Sequence, residues 1–139
     1  MVLNQVALTG ASSMLGTHIA KKLVKENYKV IALSRTRPKL RDKNIRFKKF
    51  DIKKKYSKKK FESFFSDSAI IIHAGCTTDY SKEKNKFFSL KMNLDKTRDI
   101  GKFSFLNKKI LIFISGAIVY FNQKKKNGEN SRIKRNTKD

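Results

Sequence analysis

The sequence predicts an α/β domain built on a doubly wound parallel sheet. Short apolar runs of strand length alternate with longer segments of helical pattern, and the strand runs are continuously apolar rather than alternating. Strands that alternate with helices are joined by crossovers and run parallel, and unbroken apolar strands imply a sheet covered on both faces.

The elements follow in order. Residues 6–9 form a short apolar strand that meets a turn at Gly10. A helix comes next: Leu15, Ile19, Ala20, Leu23 and Val24 share one face, while Lys21, Lys22, Lys25 and Glu26 lie mainly on the other. Ser12 and Ser13 stand where an N-cap is wanted. Residues 29–33 give a second strand ending at Ser34 and Arg35, with the only proline, Pro38, in the loop beyond. Residues 45–50 read as a weaker third strand ending at Asp51 and Ile52, followed by a poorly marked helix around 59–65. Residues 69–72 form a fully apolar strand running into His73, Ala74, Gly75 and Cys76. A longer helix is expected over about 82–100, with Phe87, Leu90, Leu94 and Thr97 roughly in line. Residues 110–114 carry the strongest strand signal, and the sheet is expected to stop after this fifth strand.

Composition bounds the rest. A chain of 139 residues, 39% of them hydrophobic, has material for one core and one domain. Cys76 is the only cysteine, which excludes a disulfide framework. His18 and His73 lie far apart with no second thiol, which argues against a metal cage. There is no apolar run of about 18 residues to span a membrane. The first ten residues lack the basic and apolar regions of a secretory signal. A soluble, cytoplasmic protein is the expectation.

The net charge of +23 is concentrated. Residues 37–60 hold thirteen Lys or Arg against Asp42 and Asp51, and residues 122–139 hold seven against two acids. Such blocks can mark a nucleic-acid footprint, but a solvated charged face is the commoner outcome. The aromatics here (Phe47, Phe50, Tyr56, Phe61, Phe64 and Phe65) are expected to serve the core rather than stack on bases.

The site chemistry centres on residues 9–16, Thr-Gly-Ala-Ser-Ser-Met-Leu-Gly. Gly10 lets the chain turn sharply out of the first strand, and Gly16 lets the helix pack closely on the sheet. Between them the backbone amides of Ser12, Ser13, Met14 and Leu15 are free to hold a pyrophosphate at the helix start. Ser13 replaces the middle glycine of the usual three-glycine form, narrowing the space but offering a hydroxyl donor. Alone, this pattern is as readily an ordinary tight turn; its place between a strand and an amphipathic helix favours a nucleotide.

Five stretches in order (LTGASSMLG, VIALSR, FDIKK, IIHAGCTTD and ILIFISGAIVY) resemble the N-terminal part of an extended short-chain dehydrogenase/reductase, the NAD-dependent epimerase/dehydratase family. The resemblance runs from about residue 5 to residue 121 and implies a Rossmann-like dinucleotide-binding domain over 1–121; residues 122–139, basic and without apolar periodicity, read as a loose tail. It implies that Asp51 and Ile52 flank the adenine, that Ala74, Gly75 and Cys76 approach the nicotinamide ribose, and that Asn93, with Thr97, helps hold the site together. The end of the second strand offers Arg35 and Arg37 with no carboxylate until Asp42, which predicts NADP in preference to NAD.

The same resemblance exposes a gap. Family catalysis uses Ser, Tyr and Lys, but Gly116 stands at the serine position before Tyr120. Tyr120 and Lys124 fit a Tyr-x-x-x-Lys spacing only literally, at a strand end where they would not share a helix face. The expectation is therefore the dinucleotide-binding part of a nucleotide-sugar epimerase, dehydratase or reductase, truncated and without independent catalysis. The alternatives are a non-catalytic dinucleotide-binding or interaction module and, behind it, a basic nucleic-acid-binding protein. The apolar edge at 110–114 predicts association with a complementary C-terminal chain or with itself.

Overall fold

The computed structural model describes residues 2–77 and 86–115. Its elements are β1 (Val2–Thr9), α1 (Met14–Lys25), β2 (Lys29–Ser34), β3 (Ile45–Lys49), α2 (Lys58–Phe65), β4 (Ser68–His73), α3 (Lys86–Leu106) and β5 (Ile110–Phe113). All strand pairs are parallel, in the order β3-β2-β1-β4-β5. The chain thus leaves β1 in one direction for β2 and β3, then crosses back to β4 on the other side. A crevice opens at such a reversal, outside the carboxyl ends of the strands.

Strand residues alternate between two apolar layers, as side chains on a pleated sheet must. Ala7, Ile31, Leu33 and Ile71 pack against Phe50, against Phe64 and Phe65 of α2, and against Ile100 and Phe103 of α3. Val6, Leu8, Val30, Ala32 and Ile72 form the other layer with Ala20 of α1. The aromatics of the basic segment are largely consumed here: Phe50 stacks on Tyr56 with centroids 5.5 Å apart and meets Phe64 edge-on at 5.0 Å, and Phe61 lies 5.2 Å from Phe65.

Three expectations need correction. β1 starts at Val2 rather than residue 6; a register shift between Val2 and Val6 lets it pair Ser68 through the polar Asn4 and Gln5 that break the apolar run. α3 continues six residues past Ile100, because Phe103 and Ser104 are buried beyond Gly101 and extend the packed face. The stripe expected on that helix is also misplaced, for Leu90 and Leu94 are 51% and 67% exposed while Ser89, Lys96, Ile100 and Phe103 are buried. Polar contacts to the sheet and the neighbouring loop set the helix rotation, and apolar periodicity does not register them. The Phe87 side chain lies outside the described residues.

Candidate functional site

The crevice is a cavity of about 370 Å³ at the carboxyl ends of β1 to β4. Gly10, Ser12 and Ser13 form one wall; Leu33, Ser34 and Arg35 come from the end of β2; Asp51, Ile52 and Lys53 follow β3; Ala74, Gly75, Cys76 and Thr77 follow β4. Sequence positions up to 67 apart are brought together because Thr9, Leu33 and His73 stand level in the sheet register.

The turn after β1 is built for close approach. Gly10 has φ +71°, and a Cβ there would lie 2.8 Å from the Ala74 carbonyl oxygen and the Gly75 nitrogen. At Gly16 a Cβ would drive into the Gly10 carbonyl, so this glycine lets α1 close on the turn. The Ser13 amide is not free as expected, because the tight turn makes it donate to the Gly10 carbonyl at 2.9 Å, and the Ser13 hydroxyl accepts from the Gly16 amide at 3.0 Å. Ser13 is therefore the N-cap of α1, and its own hydroxyl proton remains available to a ligand. Among the described residues, the amides of Ser12, Met14 and Leu15 have no protein acceptor. Unpaired amides at the positive end of a helix form an anion site.

A buried relay locks the opposite wall. The Gly75 amide donates to Thr9 Oγ1 at 3.0 Å, Thr9 Oγ1 lies 2.6 Å from His73 Nδ1, and His73 Nε2 lies 3.0 Å from Thr97 Oγ1. Thr9 is fully buried, so its hydroxyl proton has only Nδ1 to go to. That assigns His73 as the neutral tautomer with its proton on Nε2, donated to Thr97, which is only half-buried and free to use its own proton elsewhere. Burial pushes the imidazole pKa down to about 4. Asn93 makes a second tie: its Oδ1 accepts from the Thr77 amide at 2.8 Å and its Nδ2 donates to the Thr77 carbonyl at 3.1 Å. Thr9 opens the stretch 9–16 but neither it nor His73 had a role assigned from sequence; the available signal was a polar residue closing each of two adjacent apolar strands.

Asp51 shapes the third wall. Its Oδ1 accepts from the Lys53 amide at 3.0 Å, its carbonyl accepts from the Lys54 amide at 3.1 Å, and its own amide donates to the Tyr56 hydroxyl at 2.7 Å. Arg35 stands exposed on the rim, whereas Arg37 is held over the Phe47 ring at 5.9 Å and does not line the crevice. Lys53 joins Arg35 as a crevice cation that sequence reasoning did not single out. Of the sequence-predicted residues, Gly10, Ser12, Ser13, Arg35, Asp51, Ile52, Ala74 and Gly75 line one cavity. Met14, Leu15 and Gly16 lie beside it on the first turn of α1, and Asn93 acts through Thr77. Gly116, Tyr120 and Lys124 lie outside the described residues, as does the segment 122–139. No helix among the described residues is long and apolar enough to cross a membrane.

Residues 6–137 match the model of the NAD dependent epimerase/dehydratase family. No relative among the curated proteins matches this sequence. Among solved structures, a short chain dehydrogenase from Leptospira borgpetersenii with bound NAD+ is similar at 16% identity and TM-score 0.65, over 85% of this chain and 56% of that one. An epimerase from the methanogen Methanothermobacter thermautotrophicus is similar at 17% identity and TM-score 0.74, over 89% of this chain and 38% of that one. The UDP-glucose 4-epimerase of Thermotoga maritima, solved with UDP-glucose, is similar at 19% identity and TM-score 0.70, over 88% of this chain and 41% of that one. The chain thus spans between 38% and 56% of the length of these structures.

Proposed function

The chain belongs to the NAD dependent epimerase/dehydratase family, and we propose that its crevice binds a nicotinamide dinucleotide as the cofactor-holding portion of a nucleotide-sugar epimerase-like protein. The observation that carries this reading is the turn after β1, where glycines at 10 and 16 bring backbone to backbone and leave three amides unpaired at a helix start. The donor set fits a diphosphate: amides, a serine hydroxyl proton and the helix dipole, with Arg35 and Lys53 on the rim. When bound, the dinucleotide supplies a hydride acceptor or donor. The chain's part is to grip the diphosphate at Ser12 to Leu15, to flank the adenine with Asp51 and Ile52, and to present Ala74 and Gly75 to the ribose.

The reading includes a preference for NADP over NAD. The solved relative from Leptospira carries NAD+, but this chain has Arg35 where a ribose-binding carboxylate would stand. It also assigns binding without independent catalysis, supported by Gly116 at the family's serine position. A cytoplasmic setting belongs to the same reading. Among the described residues β5 is an edge strand with Ile110, Ile112 and Phe113 exposed, which supports association with a complementary chain or a second copy through that edge.

Fluorescence titration with NADPH and NADH tests the proposal. NADPH binds at least tenfold tighter than NADH to the wild type, and Arg35→Asp removes that difference. Binding of neither dinucleotide overturns the function; equal affinities, or an Arg35→Asp variant that keeps its NADPH affinity, overturn the cofactor preference alone. Deleting residues 122–139 leaves the affinity unchanged if the binding unit is 1–121. Hydride turnover by the purified chain would contradict the absence of catalysis, and a monomer at all concentrations would remove the edge association.

A further inference from the structure

A second cavity, about 730 Å³ and larger than the crevice, is a groove between α2 and α3 on one face of the sheet. Its rim is basic and its floor apolar. Lys54, Lys55 and Lys58 stand on one side and Lys102 on the other, with Phe103 and Leu106 between them. Among the described residues none of these four lysines makes an ion pair, whereas Asp95 is already shared by Lys91 and Arg98.

The groove is also organised. Lys96 is only 7% exposed, yet its Nζ donates to the Lys54 carbonyl at 3.0 Å and sits over the rings of Tyr56 and Phe61 at 5.3 and 5.6 Å. A buried cation thereby pins a run of three consecutive lysines, which repel one another, against α3. Glu62, Asp95 and Asp99 share the lining but make no ion pair with the four rim lysines among the described residues, and the excess positive charge that remains is relieved by an anionic partner.

We infer that the groove between α2 and α3 docks an acidic amphipathic helix of a partner protein, with carboxylates over Lys54, Lys58 and Lys102 and apolar side chains on Phe103 and Leu106. A second copy of this chain, with 34 Lys and Arg against 11 Asp and Glu, is a poor source of the acidic face this groove takes. A nucleic acid fits poorly, because the aromatic faces that would stack bases are occupied: Phe61 packs on Phe65 and Phe103, and Tyr56 on Phe50 and Phe64. A helix laid between two helices with i, i+3 and i+4 anchors matches an apolar floor flanked by lysines. This inference is independent of the dinucleotide reading.

The probe is a synthetic helical peptide with glutamates on one face and leucines on the other, titrated by fluorescence anisotropy against the full chain. Lys58→Glu with Lys102→Glu lowers its affinity at least tenfold, and Leu106→Ala lowers it several-fold. The control pair Lys21→Glu with Lys25→Glu, on α1 across the sheet, changes it less than twofold. Equal losses from the two double variants overturn the proposal in favour of bulk charge. So does a poly-glutamate that binds as tightly as the amphipathic peptide, or an oligo-dT strand that binds more tightly with the same groove dependence. All substituted side chains are exposed, and an unchanged melting temperature identifies each variant as folded.

Discussion

Thr9 and His73 meet across β1 and β4 with Oγ1 and Nδ1 2.6 Å apart, where both strands reach the crevice. This contact fixes more than two side chains. Thr9 also accepts from the Gly75 amide, and His73 also bonds Thr97 of α3, so one imidazole ties the backbone beside Gly10 to a helix on the far side of β4. The ring lies against Phe113 as well, with centroids 5.6 Å apart, which leaves it no water to charge into.

His73 therefore makes stability depend on pH in a stated direction. Its folded pKa of about 4 lies below the ordinary 6.5, so between these values the unfolded chain binds a proton that the folded chain does not. Its contribution is fully present above pH 6.5 and falls away as pH drops toward 4, by roughly 3 kcal/mol at most. Urea denaturation at pH 7, 5.5 and 4.5 shows this loss in the wild type. His73→Gln lacks that component of the slope, and at pH 7 it is about 1–3 kcal/mol less stable because its amide reaches the Nε2 position and leaves no acceptor at the Nδ1 position beside buried Thr9.

The two helix caps should separate stability from binding. Ser13 and Ser57 both cap by accepting from the amide three residues on, at 3.0 and 3.4 Å. Ser13→Ala is expected to cost about 1 kcal/mol, and Ser57→Ala, whose bond is longer, less than that. On the proposed function only Ser13→Ala also weakens dinucleotide binding, because only that cap faces the crevice. Chemical denaturation paired with NADPH titration of both variants checks the split; equal effects on binding would detach Ser13 from the ligand.

Lys96 is the buried charge with the most to lose. Lys96→Met keeps an apolar stem among Tyr56 and Phe61 but removes the donor from the Lys54 carbonyl. The expected cost is about 1–2 kcal/mol, combining a lost charge-assisted hydrogen bond with lost cation–π attraction. Hydrogen exchange localises it: the amides of residues 53–55 exchange faster in the variant, while those of β1 and β4 do not change.

Three of the strands were legible because each announces itself locally. Residues 30–33, 69–72 and 110–113 are unbroken apolar runs, and a sheet covered on both faces asks for little else. The turn at Gly10 was legible for the same reason, since a glycine between a strand and an amphipathic helix states its own geometry. α3 was not. The residues that choose its rotation, Asn93, Lys96 and Thr97, bond to Thr77, Lys54 and His73, partners that sequence spacing cannot assign. Leu90 and Leu94 satisfied the apolar pattern and ended on the outside. The groove beside α3 was unreadable in turn, because its basic rim joins the loop after β3 to the end of a helix nearly fifty residues later.

Two glycines give opposite predictions for the same substitution. Gly10 has φ +71°, and a Cβ there meets the backbone of residues 74 and 75 at 2.8 Å, held by the pairing of β1 with β4 and by the Thr9 bond to Gly75. Gly10→Ala is expected to lose about 2–3 kcal/mol from the left-handed backbone and the collision together. Gly101 sits within α3 with no atom within 4 Å of where a Cβ would be. Gly101→Ala should gain about 1 kcal/mol, since alanine gives up less backbone freedom on entering a helix. Thermal melts of the two variants should thus move in opposite directions from the wild type. A Gly10→Ala chain as stable as the wild type would mean the turn is not closed against β4, and the grip on a diphosphate would go with it.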